Sequence, residues 1–190
     1  AALVAWMLPL AKNFGAEIGF AAASGAIQIL GGAGYTQEWP AEQILRDTRI
    51  LSIFEGTTGM QALDLMHRRL WAEEGRGLTA LLNRMEEEAV SADPRLAANA
   101  RSVAGDFQQL AQSFADLKQD RPAAEAGADS FMRAAWCVAK AWMALRVDRL
   151  TGTFEGKPPM PLGKIAIAAS DSAVAEMAAH SIRARQLAGL

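Results

Sequence analysis

The sequence predicts an all-α protein made of long helices, and three observations carry that reading. Ala, Leu, Met, Glu, Gln and Arg fill long stretches, while aromatic residues make up only 7% of the chain and β-branched runs are absent. Apolar residues recur at helical spacing: Val103, Phe107, Leu110, Phe114 and Leu117 form one stripe, and Phe131, Ala135, Val138, Trp142 and Leu145 form another. Glycine and proline gather at a few points, which cut the chain into segments of helical length.

Taken in order, a first short helix is predicted over residues 2–13 and a second over 16–30, ended by Gly31-Gly32, where glycine adopts the left-handed conformation that terminates helices. Residues 31–35 read as a loop. Pro40 suits the first turn of a third helix over 40–49, on which Glu42 and Arg46 are spaced to pair. Leu51 to Phe54 reads as a short extended segment. Thr58 and Gln61 have the spacing of a capping box, so a fourth helix is expected over 59–71, with Leu63, Met66 and Leu70 on one face. The polar, glycine-containing run Glu73-Glu74-Gly75-Arg76-Gly77 reads as a boundary between residues 1–74 and a second helical bundle over 75–190. Helices in that bundle are expected at 78–90, 94–119, 122–151 and 161–187, with a long loop from Thr151 to Pro161 and an alanine-rich, closely packing last helix.

Composition narrows the classes of function. At 190 residues, with 51% hydrophobic residues and a net charge of -2, the chain reads as an ordinary soluble globular protein able to build its own core. Nineteen basic residues against 21 acidic ones, with no block of like charge, argue against a nucleic-acid partner. One cysteine, Cys137 in an apolar stretch, excludes a disulfide framework, points to a reducing cytoplasm and reads as a small core residue. The apolar opening from Ala1 to Ala11 is short, contains Pro9 and lacks a basic lead, so it reads as neither a secretion signal nor a membrane span. Because the helical pattern is already running at Ala1, the chain reads as a piece of something longer.

Few residues are candidates for chemistry. His67 and His180 lack the spaced acidic or cysteine partners of a zinc site, so no metal is expected. The glycines at 31–34 fit neither a dinucleotide fingerprint, which would need glycine where Gln37 stands, nor a phosphate loop. Glu86-Glu87-Glu88 reads as a solvated helix face. Glu55 is different, because it sits between Ile53-Phe54 and Gly56 just ahead of a helix. One reading is a partly desolvated carboxylate with its pKa raised toward neutrality, as a general base in an apolar pocket requires. The other is a surface carboxylate stabilised by the helix dipole.

Residues 26–70 contain three blocks: Gln28-Ile-Leu-Gly31-Gly32-Ala-Gly34-Tyr35, the pair Arg46-Asp47, and Phe54-Glu55-Gly56-Thr57. Their order and spacing resemble the last part of the acyl-CoA dehydrogenase flavoproteins over about residues 3–72. The resemblance implies that Glu55 takes the α-proton of an acyl-CoA while the β-hydrogen leaves as hydride to FAD, giving a 2,3-enoyl-CoA. It implies that Phe54 lines the acyl site and that Gly56 lies beside the thioester. It further implies that Gln28, Gly31 and Gly32 approach FAD held mainly by a neighbouring subunit of a homodimer or homotetramer, and that Thr57 meets FAD near the helix start. The relatives' glutamine two places after that threonine is Gly59 here, in a Gly-x-Gln variant familiar among the larger members. Arg46 and Asp47 are expected to form a structural ion pair.

Residues 78–190 resemble the extra helical domain of large family members of about six hundred residues, which include enzymes acting on methylthiopropionyl-CoA. Electrons would pass to an electron-transferring flavoprotein, or to oxygen in an oxidase-like relative. The isolated chain is expected to be inactive, since the family's β domain is missing from it. The alternative is a non-catalytic helical interaction module. Phe154-Glu155-Gly156 repeats the tripeptide without a following threonine or an upstream glycine block, and reads as a solvent-facing turn.

Overall fold

The computed structural model describes residues 1–151, 153 and 161–190, and among these every regular element is helical. The repeated tripeptide at 154–156 lies outside the described residues. Helix α1 spans Ala2–Leu30, α2 is the single turn Gly32–Tyr35, and α3 spans Ala41–Arg49. Helix α4 starts at Thr58, and α5 (Arg76–Ala89), α6 (Pro94–Asp116), α7 (Arg121–Thr151) and α8 (Leu162–Ala188) follow.

Where two helices were expected over 2–30, the chain forms one. The polar interruption at Asn13 is neutralised locally, because its buried amide donates to Glu17 Oε1 at 3.2 Å. Phe14 stacks on Trp136 of α7 at 4.7 Å, so tertiary packing outweighs the ~1 kcal/mol that Gly15 costs a helix. Gly31, at φ +62°, stops α1 as expected, but the residues after it coil into α2 instead of a loop. The buried Gly34 allows this turn to sit against α1, since a Cβ there would lie 2.7 Å from Leu30 Cβ.

Two further expectations change at residues 50–72. Leu51 to Phe54 is not extended: Ile50–Ser52 is a 3₁₀ turn, and the N–H groups of Ile53 and Phe54 both donate to the Ile50 carbonyl, at 2.9 and 3.1 Å. With no partner strand among the described residues, local turn bonding is how these amides are satisfied. After Thr58–Leu63, the residues Asp64–Ala72 continue α4 with the wider π-helical repeat, seen in the Glu73 N–H bond to the Arg68 carbonyl at 2.8 Å. Buried Arg69 fastens both ends of this stretch, pairing with Asp64 at 3.1 Å and Glu73 at 2.7 Å.

The polar run 73–77 is a tight turn. Gly75 at φ +63° redirects the chain, and Gly77 lets α5 lie on the start of α1, where a Cβ would meet the Ala2 carbonyl and Trp6 Cβ, both at 2.6 Å. Trp71 Nε1 donates to the Phe114 carbonyl of α6 at 3.0 Å. One hydrophobic core therefore runs from Trp6 and Leu10 through Leu65, Leu81 and Phe107 to Met177 and Ala184. Both predicted apolar stripes face it, with Leu117 half-buried at the edge. Asp93 caps α6 by accepting from the Arg95 and Leu96 amides at 2.8 and 3.3 Å, with Pro94 in the first turn.

Helices α7 and α8 pack closely because their contact is built from alanine, glycine and serine. A Cβ on Gly127 would lie 2.7 Å from both the Ala184 carbonyl and Phe114 Cζ. Gly127→Ala is therefore expected to lower stability by about 1–3 kcal/mol through overpacking, read as an earlier midpoint in urea unfolding. An unchanged midpoint would show that the α7–α8 contact relaxes freely. Polar ties flank this seam: Lys140 Nζ donates to Glu176 Oε2 at 2.5 Å, and Arg95 grips both oxygens of Asp171, at 3.2 and 2.6 Å. Burial opposes ionisation of Glu176, yet Lys140 and Ser172 hold its carboxyl below the ordinary value. Burial pushes the Cys137 thiol up to about 12, so it stays protonated and acts as a core residue.

Glu86-Glu87-Glu88 is only partly a solvated face. Glu86 pairs in the open with Arg101, and Glu87 is exposed, but Glu88 keeps only 4% of its side chain accessible. It accepts from Trp142 Nε1 and Arg84 Nε, both at 3.0 Å. The indole donor on α7 draws this third glutamate inward. No helix among the described residues is long and apolar enough to cross a membrane.

Candidate active site

The loop that carries Glu55 is placed by α1 and α3. The two helices lie side by side, with Arg49 at the end of α3 stacked 5.3 Å over Phe20 of α1. Lys12, a further two turns toward the start of α1, donates to the Leu51 carbonyl and lies 5.2 Å above the Phe54 ring. These contacts pin the entry to the loop. Glu55 then takes φ +55° and Gly56 φ +97°, two successive residues in the left-handed region. Glutamate rarely adopts this conformation, and its occurrence marks a held backbone. Gln61 Nε2 donates to the Glu55 carbonyl at 3.0 Å.

The capping box expected from Thr58 and Gln61 does not form. Thr57 is the N-cap residue of α4 and makes no side-chain cap bond, while the Gln61 amide turns to the loop. The start of α4 nonetheless follows Glu55 and Gly56 directly, so free amides at this helix start lie next to the glutamate in the chain.

Glu55 is exposed among the described residues, in line with the reading of a surface carboxylate ahead of a helix and not with that of one desolvated by its neighbours. Ile53 and Phe54 are themselves 53% and 42% accessible. Adjacency in sequence does not make a pocket here: the loop lies at the edge of the helical body, and within the described residues nothing covers it. The Glu55 carboxylate makes no hydrogen bond or ion pair among those residues, and the backbone sets only the direction in which the side chain leaves the loop.

The residues assigned to flavin contact, Gln28, Gly31 and Gly32, are likewise exposed at the far end of α1. Gln28 lines an open groove of about 930 Å³ between α1 and α3, together with Phe20, Ser24, Tyr35, Arg46 and Arg49. Phe54, Glu55, Gly56 and Thr57 do not line this groove; they lie beyond the other end of α3. Arg46 pairs with Glu42 at 3.0 Å and not with Asp47, so the ion pair in α3 is the i,i+4 pair.

Arg46 and Arg49 border the groove together with Glu42, which pairs with Arg46 at 3.0 Å, and Tyr35 is 80% exposed beside them. A Cβ on Gly32 would meet nothing within 4 Å, so packing within the described chain does not require a glycine there. The chain thus presents an exposed acid on the loop after α3 and an open groove between α1 and α3 lined by Arg46, Arg49 and Glu42.

Residues 7–70 match the family model described as acyl-CoA dehydrogenase, C-terminal domain. A broad-specificity linear acyl-CoA dehydrogenase of Mycobacterium tuberculosis is 38% identical over 81 residues, which are 43% of this chain and 13% of that protein. A 3-methylmercaptopropionyl-CoA dehydrogenase of Ruegeria pomeroyi is 35% identical over 130 residues, 68% of this chain and 20% of that protein. A (2S)-methylsuccinyl-CoA dehydrogenase of Cereibacter sphaeroides is 46% identical over 61 residues, 32% of this chain and 11% of that protein. The chain therefore spans a fifth or less of the length of these relatives. Through residues 7–70, which hold the glycine block, α3 and the Glu55 loop, the chain belongs to the acyl-CoA dehydrogenase family.

Proposed function

We propose that this chain supplies the base-bearing C-terminal part of an FAD-dependent acyl-CoA dehydrogenase, with Glu55 removing the α-proton of an acyl-CoA thioester. The observation that carries this reading is the unpaired, exposed carboxylate of Glu55, held on a left-handed backbone within the family-matched segment. A thioester α-proton is weakly acidic, so its removal needs a base fixed at short range and a site free of water. Glu55 provides the base. Phe54, held under Lys12, offers one apolar wall for the acyl chain, and Gly56 leaves room for the thioester to approach.

Gln28, Gly31, Gly32 and Thr57 are the residues of this chain that would contact FAD; of these Gln28 lines the groove, where Arg49, and Arg46 once released from Glu42, are the cations available to its phosphates. Bound there, FAD supplies the acceptor for the β-hydride. The rest of the enclosure has to come from outside the described residues, either from the remainder of a longer protein or from a second subunit. The exposed Ile18 and Ile29 on α1, Ile44 on α3 and Trp39 in the turn before α3 support such a covering contact. An electron-transferring flavoprotein is the proposed electron acceptor, and a reducing cytoplasm the proposed setting.

We assign residues 75–190 to the additional helical domain of large family members. An alignment covering 130 of 190 residues necessarily extends past residue 74, which supports this assignment. A non-catalytic interaction module remains the competing reading of the same apolar surface, and Glu55→Gln separates the two. The isolated 190-residue chain is expected to purify colourless and inactive, because its groove is open along one side. Stoichiometric flavin absorbance in the purified chain would contradict this.

A further inference from the structure

We infer that Gln61 is a positioning residue for Glu55, fixing through the backbone the direction in which its side chain leaves the loop; this rests on Glu55 being the base. Glu55 and Gly56 reverse the chain with φ of +55° and +97°. For a residue with a Cβ, such a conformation is strained and persists only where surrounding contacts hold it. On the exit side, the contact is the Gln61 amide, which donates to the Glu55 carbonyl across six residues at 3.0 Å. Gln61 is itself fixed in the first turns of α4, its own N–H bonded to the Thr57 carbonyl at 3.0 Å.

Gly56 is shaped to admit this contact. A Cβ there would lie 2.7 Å from Gln61 Nε2, so only a bare Cα lets the amide reach over it to residue 55. The geometry also separates this role from helix capping. A capping-box side chain accepts from an N–H at the helix start, whereas the Gln61 side chain gives its proton to a carbonyl outside the helix. On the entry side, Lys12 of α1 fastens the Leu51 carbonyl and the Phe54 ring. Glu55 lies between two tethers on separate helices while its carboxylate has no partner among the described residues. Loss of the Gln61 tether leaves the backbone free to leave the left-handed region, swinging the carboxylate away from the α-carbon.

The test uses the whole flavoprotein carrying Gln61→Met, which keeps the length and removes the donor, or Gln61→Lys, which keeps a donor of similar reach. Glu55→Gln serves as the reference. Flavin content, acyl-CoA Kd and the anaerobic rate of flavin reduction at saturating acyl-CoA are measured. Gln61→Met should slow reduction by about tenfold to a hundredfold with little change in Kd or flavin content, as expected for a base displaced by about an ångström. Gln61→Lys should restore most of that rate. Reduction within twofold of wild type in Gln61→Met, while Glu55→Gln abolishes it, would overturn the positioning role and leave the base assignment standing. Normal reduction in Glu55→Gln would instead remove the base assignment. Should Gln61→Met lose its flavin, Gln61→Lys decides: near-normal reduction supports the role, and slow reduction with full flavin overturns it. Loss of flavin from both variants would mark Gln61 as a purely structural residue and also overturn it.

Discussion

Glu55→Gln in the whole flavoprotein is expected to lower acyl-CoA turnover by at least about a hundredfold, and up to about ten thousandfold, the range that a positioned base contributes. The substitution keeps the size and removes only the ability to take a proton. Stability should move by less than about 0.5 kcal/mol, because the side chain is exposed and unpaired. Flavin content should also stay, since the groove beside Gln28 is lined by other residues. A large loss of rate with intact flavin and an intact fold is thus the expected pattern. Loss of flavin together with rate would instead point to a structural role for the loop.

Phe131→Ala is expected to destabilise the chain by about 3–5 kcal/mol, the largest stability effect anticipated here. Phe131 is fully buried on α7, with ring centroids 5.2 Å from Phe107 and 5.0 Å from Phe114, both on α6. Phe107 in turn meets Trp6 of α1 edge-on at 6.3 Å. Truncation therefore opens a cavity where α1, α6 and α7 converge, and closely packed alanines around it leave little that can move in to fill it. Urea unfolding of the isolated chain measures the effect directly. A loss under about 1 kcal/mol would show that the core repacks around the missing ring.

The helices of the second half were legible because their signals agree. Apolar spacing, the Asp93-Pro94 start of α6 and glycine or proline punctuation all point to the same boundaries. The errors arose where a local signal met a tertiary partner. Asn13 and Gly15 read as a break in α1, but Glu17 satisfies the amide and Trp136 buries the adjacent ring. Glu88 read as surface until the Trp142 indole gave it a partner 54 residues away. Gln61 had the right spacing for a capping box, yet its amide bonds a carbonyl in the loop; spacing marks the residue but not its partner.

The candidate site was legible in a different sense. Three sequence blocks pointed to the family segment and named Glu55, while its neighbours in sequence left two readings of the carboxylate open, of which the described residues show the exposed one. Burial belongs to three-dimensional surroundings, and both neighbours face outward beside it. Nor could periodicity reveal Lys12, whose hold on Leu51 and Phe54 spans about 40 residues and leaves no local pattern.

The central claim is that Glu55 removes the α-proton, and isotope exchange tests it most directly. The whole flavoprotein is incubated anaerobically in deuterium oxide with an acyl-CoA analogue that binds but cannot lose its β-hydride, and deuterium at the α-carbon is followed by mass spectrometry. The wild-type protein should exchange the α-hydrogen readily, and Glu55→Gln, with flavin bound and the same Kd, should not. Exchange at the wild-type rate in Glu55→Gln would contradict the account.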